Sequence, residues 1–152
     1  MKKLLILLIA GVLFAVEAYQ QQNISVPESL LQASDSKEKI SADNRDLKRA
    51  YEAKQSNLQV QGSGVVVKVL RDDLKGSRHQ KFILQVGPGL TVLIAHNIDL
   101  APRIDGLKKG DAVEFNGEYE WNSRGGVIHW THKDPRGYHV SGWLKHDARS
   151  YQ

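Results

Sequence analysis

Val113-Glu114-Phe115-Asn116-Gly117-Glu118-Tyr119-Glu120-Trp121 alternates from one face to the other without a break. Val113, Phe115, Tyr119 and Trp121 share one side with Gly117, while Glu114, Asn116, Glu118 and Glu120 share the other. Successive strand side chains point to opposite faces, so this stretch predicts an antiparallel strand with one face on a core and one in water. Asn122-Ser123-Arg124-Gly125-Gly126 follows as a hairpin loop into another strand, Val127 to about Thr131. Upstream, Val65, Val67 and Val69 alternate with Val66, Lys68 and Leu70 in a largely buried strand. Gly62 and Gly64 precede it, where a bulge or sharp coil fits. Phe82, Leu84 and Val86 alternate with Lys81, Ile83 and Gln85, and Gly87-Pro88-Gly89 turns the chain into Leu90 to His96.

Five short strands with a longer connection between the third and fourth predict a mainly β protein, a small five-stranded OB-like Greek-key barrel. Leu107-Lys108-Lys109-Gly110-Asp111 resembles the entry to the fourth strand of many such barrels. One amphipathic helix is expected before the barrel, at about residues 41–55. There Leu47, Ala50, Tyr51 and Lys54 recur at three- and four-residue spacing, and Ser41 or Asp43 offers an N-cap. The helix either covers one end of the barrel or serves as a solvated spacer.

Residues 1–18 have the parts of an export signal. Met1-Lys2-Lys3 is followed by the apolar run Leu4–Val16 and by Val16-Glu17-Ala18, with small residues at minus three and minus one. That run is 13 residues long, whereas spanning a bilayer takes roughly 20. Cleavage after Ala18 gives a periplasmic or secreted protein with no transmembrane segment. The chain has no cysteine, so neither a lipid-modified cysteine nor a disulfide is available and stability rests on packing. The remainder divides into a polar leader, 19–57, and a barrel domain, 58–152, whose C-terminal extension, 133–152, folds against the barrel. A monomer is expected. The mature balance of 19 basic against 16 acidic residues, without a basic run, points only weakly to nucleic acid.

Several phrases are more particular than the barrel. They are Asp72-Asp73, Gly76-Ser77-Arg78-His79-Gln80, Ala95-His96-Asn97-Ile98-Asp99-Leu100-Ala101-Pro102, and Gly125-Gly126-Val127-Ile128-His129-Trp130-Thr131-His132 with Asp134-Pro135 and Gly142-Trp143-Leu144. Over about residues 58–152 the chain resembles an uncharacterised family of short exported bacterial proteins, classed as a domain of unknown function. The resemblance implies a bacterial, exported protein and carries over no catalytic role.

All six histidines lie in the barrel half, four of them between His129 and His146. Histidine is the commonest metal ligand and titrates near neutral pH. The candidate ligand-binding residues are Arg78, His79, His96, Asn97, Asp99, His129, Trp130 and His132. His96, His129, His132 and Asp134 form a candidate set for a divalent metal such as zinc. His129 and His132 sit on opposite faces of a continuous strand, so a shared metal requires the strand to break near Trp130 or Thr131. The alternative for each histidine is a backbone-bonded structural role. Asn97 and Asp99 can likewise fix the chain leaving the third strand, and Arg103 can pair with Asp99 or Asp105. Trp121 is expected in the core, and Trp130 either supplies a flat surface for a ligand or alternates inward with Ile128. Tyr138 and Trp143 suit either a core cap or a ligand platform, and the row Glu114, Glu118, Glu120 a solvated face.

Two functions follow. The first is a non-enzymatic binding module of the cell envelope, holding nucleic acid or cell-wall oligosaccharide against aromatic rings and cations. The second is a metal-assisted hydrolase of nuclease or phosphodiesterase type, with Arg78, His79, Asp72 and Asp73 joining the His129, His132 and Asp134 group. The sequence contains no GxSxG, HExxH or Walker A motif.

Overall fold

The computed structural model describes residues 44–152. The expected export signal, most of the leader and both proposed N-caps, Ser41 and Asp43, lie outside them. The described chain opens with helix α1 (Arg45–Glu52), whose N-cap is Asn44. The strands are β1 (Leu58–Val69), β2 (His79–Gly87), β3 (Leu90–Asn97), β4 (Ala112–Glu120), β5 (Val127–His129), β6 (Trp143–His146) and β7 (Arg149–Tyr151).

Hydrogen-bonded neighbours run β1-β2-β3-β5-β4-β6-β7, and an added β1–β4 pairing closes the first five strands into a barrel. The twelve residues of β1 serve both halves: Leu58–Val65 pair with β4, and Val65–Val69 with β2. β3 and β5 run parallel, and the other neighbours are antiparallel. This is the five-stranded OB-like order expected from the strand pattern. Its interior is filled by the inward residues of each alternation, among them Val66, Phe82, Leu84, Ile94, Phe115, Tyr119 and Ile128, each fully buried.

Three local features depart from the sequence reading. The irregularity in β1 falls between Val66 and Lys68, not at the glycines before it. Gly62 and Gly64 are needed for close approach instead. A Cβ at Gly62 would strike the Asn44 side chain and the Phe115 ring, and one at Gly64 would lie 2.8 Å from the Gln85 carbonyl oxygen. Second, β5 stops at His129 rather than Thr131, because Trp130 takes a left-handed backbone with φ 52°. Third, the C-terminal extension forms the hairpin β6–β7. It pairs with the first half of β4, Glu114–Asn116, while β5 holds the second half, Glu118–Glu120.

Helix α1 covers one end of the barrel. Leu47 and Ala50 enter the core, and the buried Asn44 amide donates to the carbonyls of Ser63 and Val86 at 2.7 and 2.8 Å. At the helix end the Trp121 indole N–H donates to the Tyr51 carbonyl at 3.1 Å. Trp121 is thus half-buried at the rim of the core rather than inside it. Among the described residues no helix is long and apolar enough to cross a membrane.

Candidate binding site on the outer face of β4 and β5

Strand parity sorts the candidate residues before any contact is measured. On β3, His96 is in phase with the buried Val92 and Ile94, so its ring points inward. On β5, His129 is out of phase with the buried Ile128, so its ring points outward, opposite Glu118 of β4. The sequence reading placed both histidines in one patch. The fold puts them on different sides of the barrel wall.

His96 is fully buried and both its nitrogens are engaged. Nε2–H donates to the Pro102 carbonyl at 3.1 Å, so Nδ1 is left to accept from the Thr131 hydroxyl at 2.8 Å. Burial pushes its pKa down to about 4, against the support of those two bonds. Next to it in the sheet, the Gln80 amide exchanges two 2.9 Å bonds with the Ile104 backbone. Together they pin the long connection between β3 and β4. His96 is therefore structural, with no lone pair free for a metal.

Arg78, His79, Asn97 and Asp99 do meet, at the paired ends of β2 and β3, where His79 faces Asn97. They satisfy one another. Arg78 donates from its backbone to Asp99 Oδ2 at 2.7 Å and from Nε to Oδ1 at 2.6 Å. Asn97 Oδ1 accepts from the Asp99 amide at 2.9 Å, and His79 Nδ1–H donates to the Ser77 carbonyl at 2.7 Å. The Arg78 hydrogen bonds hold the Asp99 carboxyl below its usual range. Arg103 pairs with Asp72 at 3.0 Å and with Asp105 at 3.3 Å, not with Asp99.

The metal set His96, His129, His132 and Asp134 is not assembled. The strand break that such a set requires is present at Trp130, yet it turns Thr131 and His132 into the interior. There His132 Nδ1–H donates to the Lys133 carbonyl at 2.7 Å. Asp134 spends its carboxylate on its own loop, accepting from the amides of Arg136, Tyr138 and His139 at 2.9, 2.6 and 2.8 Å. Those bonds, the Arg136 amide first, hold its carboxyl below the ordinary value.

That loop nevertheless builds a site. It lays the His139 ring on the Trp130 indole, with centroids 3.7 Å apart and planes 18° from parallel. His132 approaches the same indole at 5.4 Å and His129 at 6.4 Å. Gly142 lets the chain leading into β6 cross beneath, since a Cβ there would collide with the Trp130 carbonyl oxygen. Trp130 is half-buried and off the strand, not an inward core residue. Tyr138 is largely exposed, and Trp143 is half-buried with the Lys145 ammonium 4.4 Å from its ring centre.

Beside this stack lie residues the sequence reading assigned to a solvated face. Glu118, Glu120 and His129 place their donor atoms within 4.8 Å of one another. Glu118 Oε1 lies 3.6 Å from His129 Nε2, and Oε2 lies 3.7 Å from His139 Nδ1. Both separations exceed hydrogen-bond reach. His129 Nε2 is inaccessible and has no hydrogen-bond partner among the described residues. Leaving such an atom unpaired costs about 1–3 kcal/mol. Burial pulls the His129 pKa below its usual value, although Glu118 and Glu120 oppose the shift. Glu118 and Glu120 carried a legible signal: both face outward on a strand whose hairpin partner presents an outward histidine. His139 comes from an irregular loop and had none.

No curated protein matches this chain. A family description, protein of unknown function (DUF3465), matches residues 29–152, which takes in α1 and the whole barrel. By the extent of that match, the chain belongs to the DUF3465 family.

Proposed function

We propose that this protein is an exported, monomeric, non-enzymatic binding module of the bacterial cell envelope, and that it takes its ligand on the outer face of β4 and β5. One observation carries this reading: the half-exposed Trp130 indole borders an imidazole nitrogen and two carboxylates that, among the described residues, make no hydrogen bond. The Arg78 and Asp99 cluster is closed on itself, and the one other buried polar atom without a partner among the described residues, Asp72 Oδ1, belongs to a carboxylate whose second oxygen is held by Arg103. An aromatic face beside carboxylate and imidazole suits an oligosaccharide, whose rings stack while its hydroxyls donate and accept.

The charge arrangement favours cell-wall oligosaccharide over nucleic acid. Glu114, Glu118 and Glu120 line the outer side of β4. Several cations of the barrel are already paired, Arg78 with Asp99, Lys81 with Asp73, Arg103 with Asp72 and Lys145 with Glu114, and Lys133 and Arg136 on the Asp134 loop are the cations beside the site without an ion pair among the described residues. Nucleic-acid binding draws its affinity from cations free to meet phosphates. For the hydrolase reading, Arg78 and Asp134 are occupied by partners within the fold, and Asp72 is held by Arg103 through one of its two oxygens.

Binding of soluble glycan strands from bacterial peptidoglycan, measured beside a labelled single-stranded oligonucleotide, tests the reading. Glycan binding that is lost in Trp130→Ala is the expected result. Oligonucleotide binding that collapses with added salt, with none to glycan, would replace it. Export is checked by recovery of a chain beginning at Tyr19 from the periplasm or medium.

A further inference from the structure

We infer that Glu118, Glu120 and His129 form a binding site for a borderline divalent cation of the zinc type, with His139 as a fourth ligand. The inference rests on the reading of this face as the binding surface and names one component of what that surface holds.

The argument starts from donor chemistry. An imidazole nitrogen with two carboxylates, and a second imidazole at the rim, is a mixed nitrogen and oxygen set. It suits zinc better than calcium or magnesium, which favour oxygen alone. Geometry agrees. Zinc–ligand bonds of about 2.0–2.2 Å in a tetrahedron put neighbouring donor atoms roughly 3.3–3.6 Å apart. Glu118 Oε1 lies 3.6 Å from His129 Nε2, the three donors of the trio lie within 4.8 Å of one another, and His139, 3.7 Å from the other Glu118 oxygen, stands outside that trio and has to swing in. Small side-chain rotations close the remainder.

The backbone supplies the rigidity that a site of this kind needs. Glu118 and His129 are directly paired across β4 and β5, and Glu120 projects from the same face two residues on. The cation explains two features that are otherwise unfavourable. One is an inaccessible Nε2 without a partner. The other is a pair of carboxylates on one face of one strand that no Lys or Arg pairs with among the described residues. His139 is held by a different device, the Asp134-bonded loop and the Trp130 ring. The trio is thus preformed on strands, and the fourth ligand closes from a loop.

The experiment uses the purified, chelator-stripped protein. Zinc titration is followed by calorimetry and melting temperature, and cobalt(II) is used as a spectroscopic probe of coordination. Zinc is expected to bind in a one-to-one complex and raise the melting temperature. Glu118→Gln, Glu120→Gln and His129→Gln should each weaken binding about tenfold or more, His139→Gln less, and His79→Gln not at all. Metal-free melting of each variant checks that it folds. Absence of zinc binding overturns the inference. So does zinc binding that these variants leave unchanged, which would place the ion on other histidines. Glycan binding without zinc binding removes the cation alone, whereas loss of both readouts removes the reading of the face with it.

Discussion

His96 and His129 sit on neighbouring strands and meet opposite chemistry. His96 lies inside the wall with both ring nitrogens bonded, beside a glutamine that is doubly bonded to backbone. His129 lies on the outside, with an unpartnered Nε2 and two carboxylates near it. The inner cluster is closed: each polar group meets a complement, so the cluster rigidifies the connection between β3 and β4. The outer cluster is open, and its unmet capacity is what a ligand can use. Polar residues of similar type are satisfied within the fold in one place and left open in the other, and the number of unmet bonds separates the two.

The comparison breaks most sharply by substitution at the inner cluster. His96→Ala leaves the Pro102 carbonyl and the Thr131 hydroxyl buried without partners and opens a cavity. A loss of about 3 kcal/mol or more is expected in urea unfolding. A loss under about 1 kcal/mol would show that water fills the site without cost.

Acid should find the same weak point. Unfolded His96 gains a proton below about pH 6.5, whereas the folded ring resists until about 4. The contribution is therefore complete above pH 6.5 and is lost as pH falls toward 4, by an amount on the order of 3 kcal/mol. His129, also lowered by burial, adds to that slope. The carboxylates act later. Asp111, held at about 2 chiefly by Lys108, loses its contribution as pH falls from 3.8 to about 2. Stability measured from pH 7.5 to 4.5 should decline in the native chain and stay flatter in His96→Gln. Equal slopes would assign the decline elsewhere.

Two smaller effects sharpen the outer side. Asp134→Ala releases the loop that carries His139, so the amides of Arg136, Tyr138 and His139 should exchange with solvent faster, with little change in melting temperature. Unchanged exchange would mean that stacking on Trp130 alone holds the loop. Glu118→Gln, without metal, should stay within about 0.5 kcal/mol of the native chain, since it relieves like charge and breaks no hydrogen bond with an observed partner. A loss above about 2 kcal/mol would make Glu118 a structural residue and end the contrast.

Period two made the strands readable. Val113, Phe115 and Tyr119 announced an inner face, and Phe82, Leu84 and Val86 another, because a half-buried strand must keep its apolar side chains in one phase. The same phase places His96 inward with Val92 and Ile94, a consequence that lay in the alternation but went unused among the candidate ligands. The hairpin β6–β7 was not read, since its short strands are too brief for a period to show. Tyr138, exposed on the Asp134 loop, likewise offers no core cap.

Alternation along the chain settles which side of a strand a residue occupies, and it did so here for the barrel core and for the acidic row of β4. It carries no information about what stands across the gap from that side. The β4–β5 hairpin sets His129 opposite Glu118, whereas the left-handed turn at Trp130 and the return of the Asp134 loop bring His139 to it. The His139 contact comes from an irregular loop, so it exists only once packing has fixed where that loop lies.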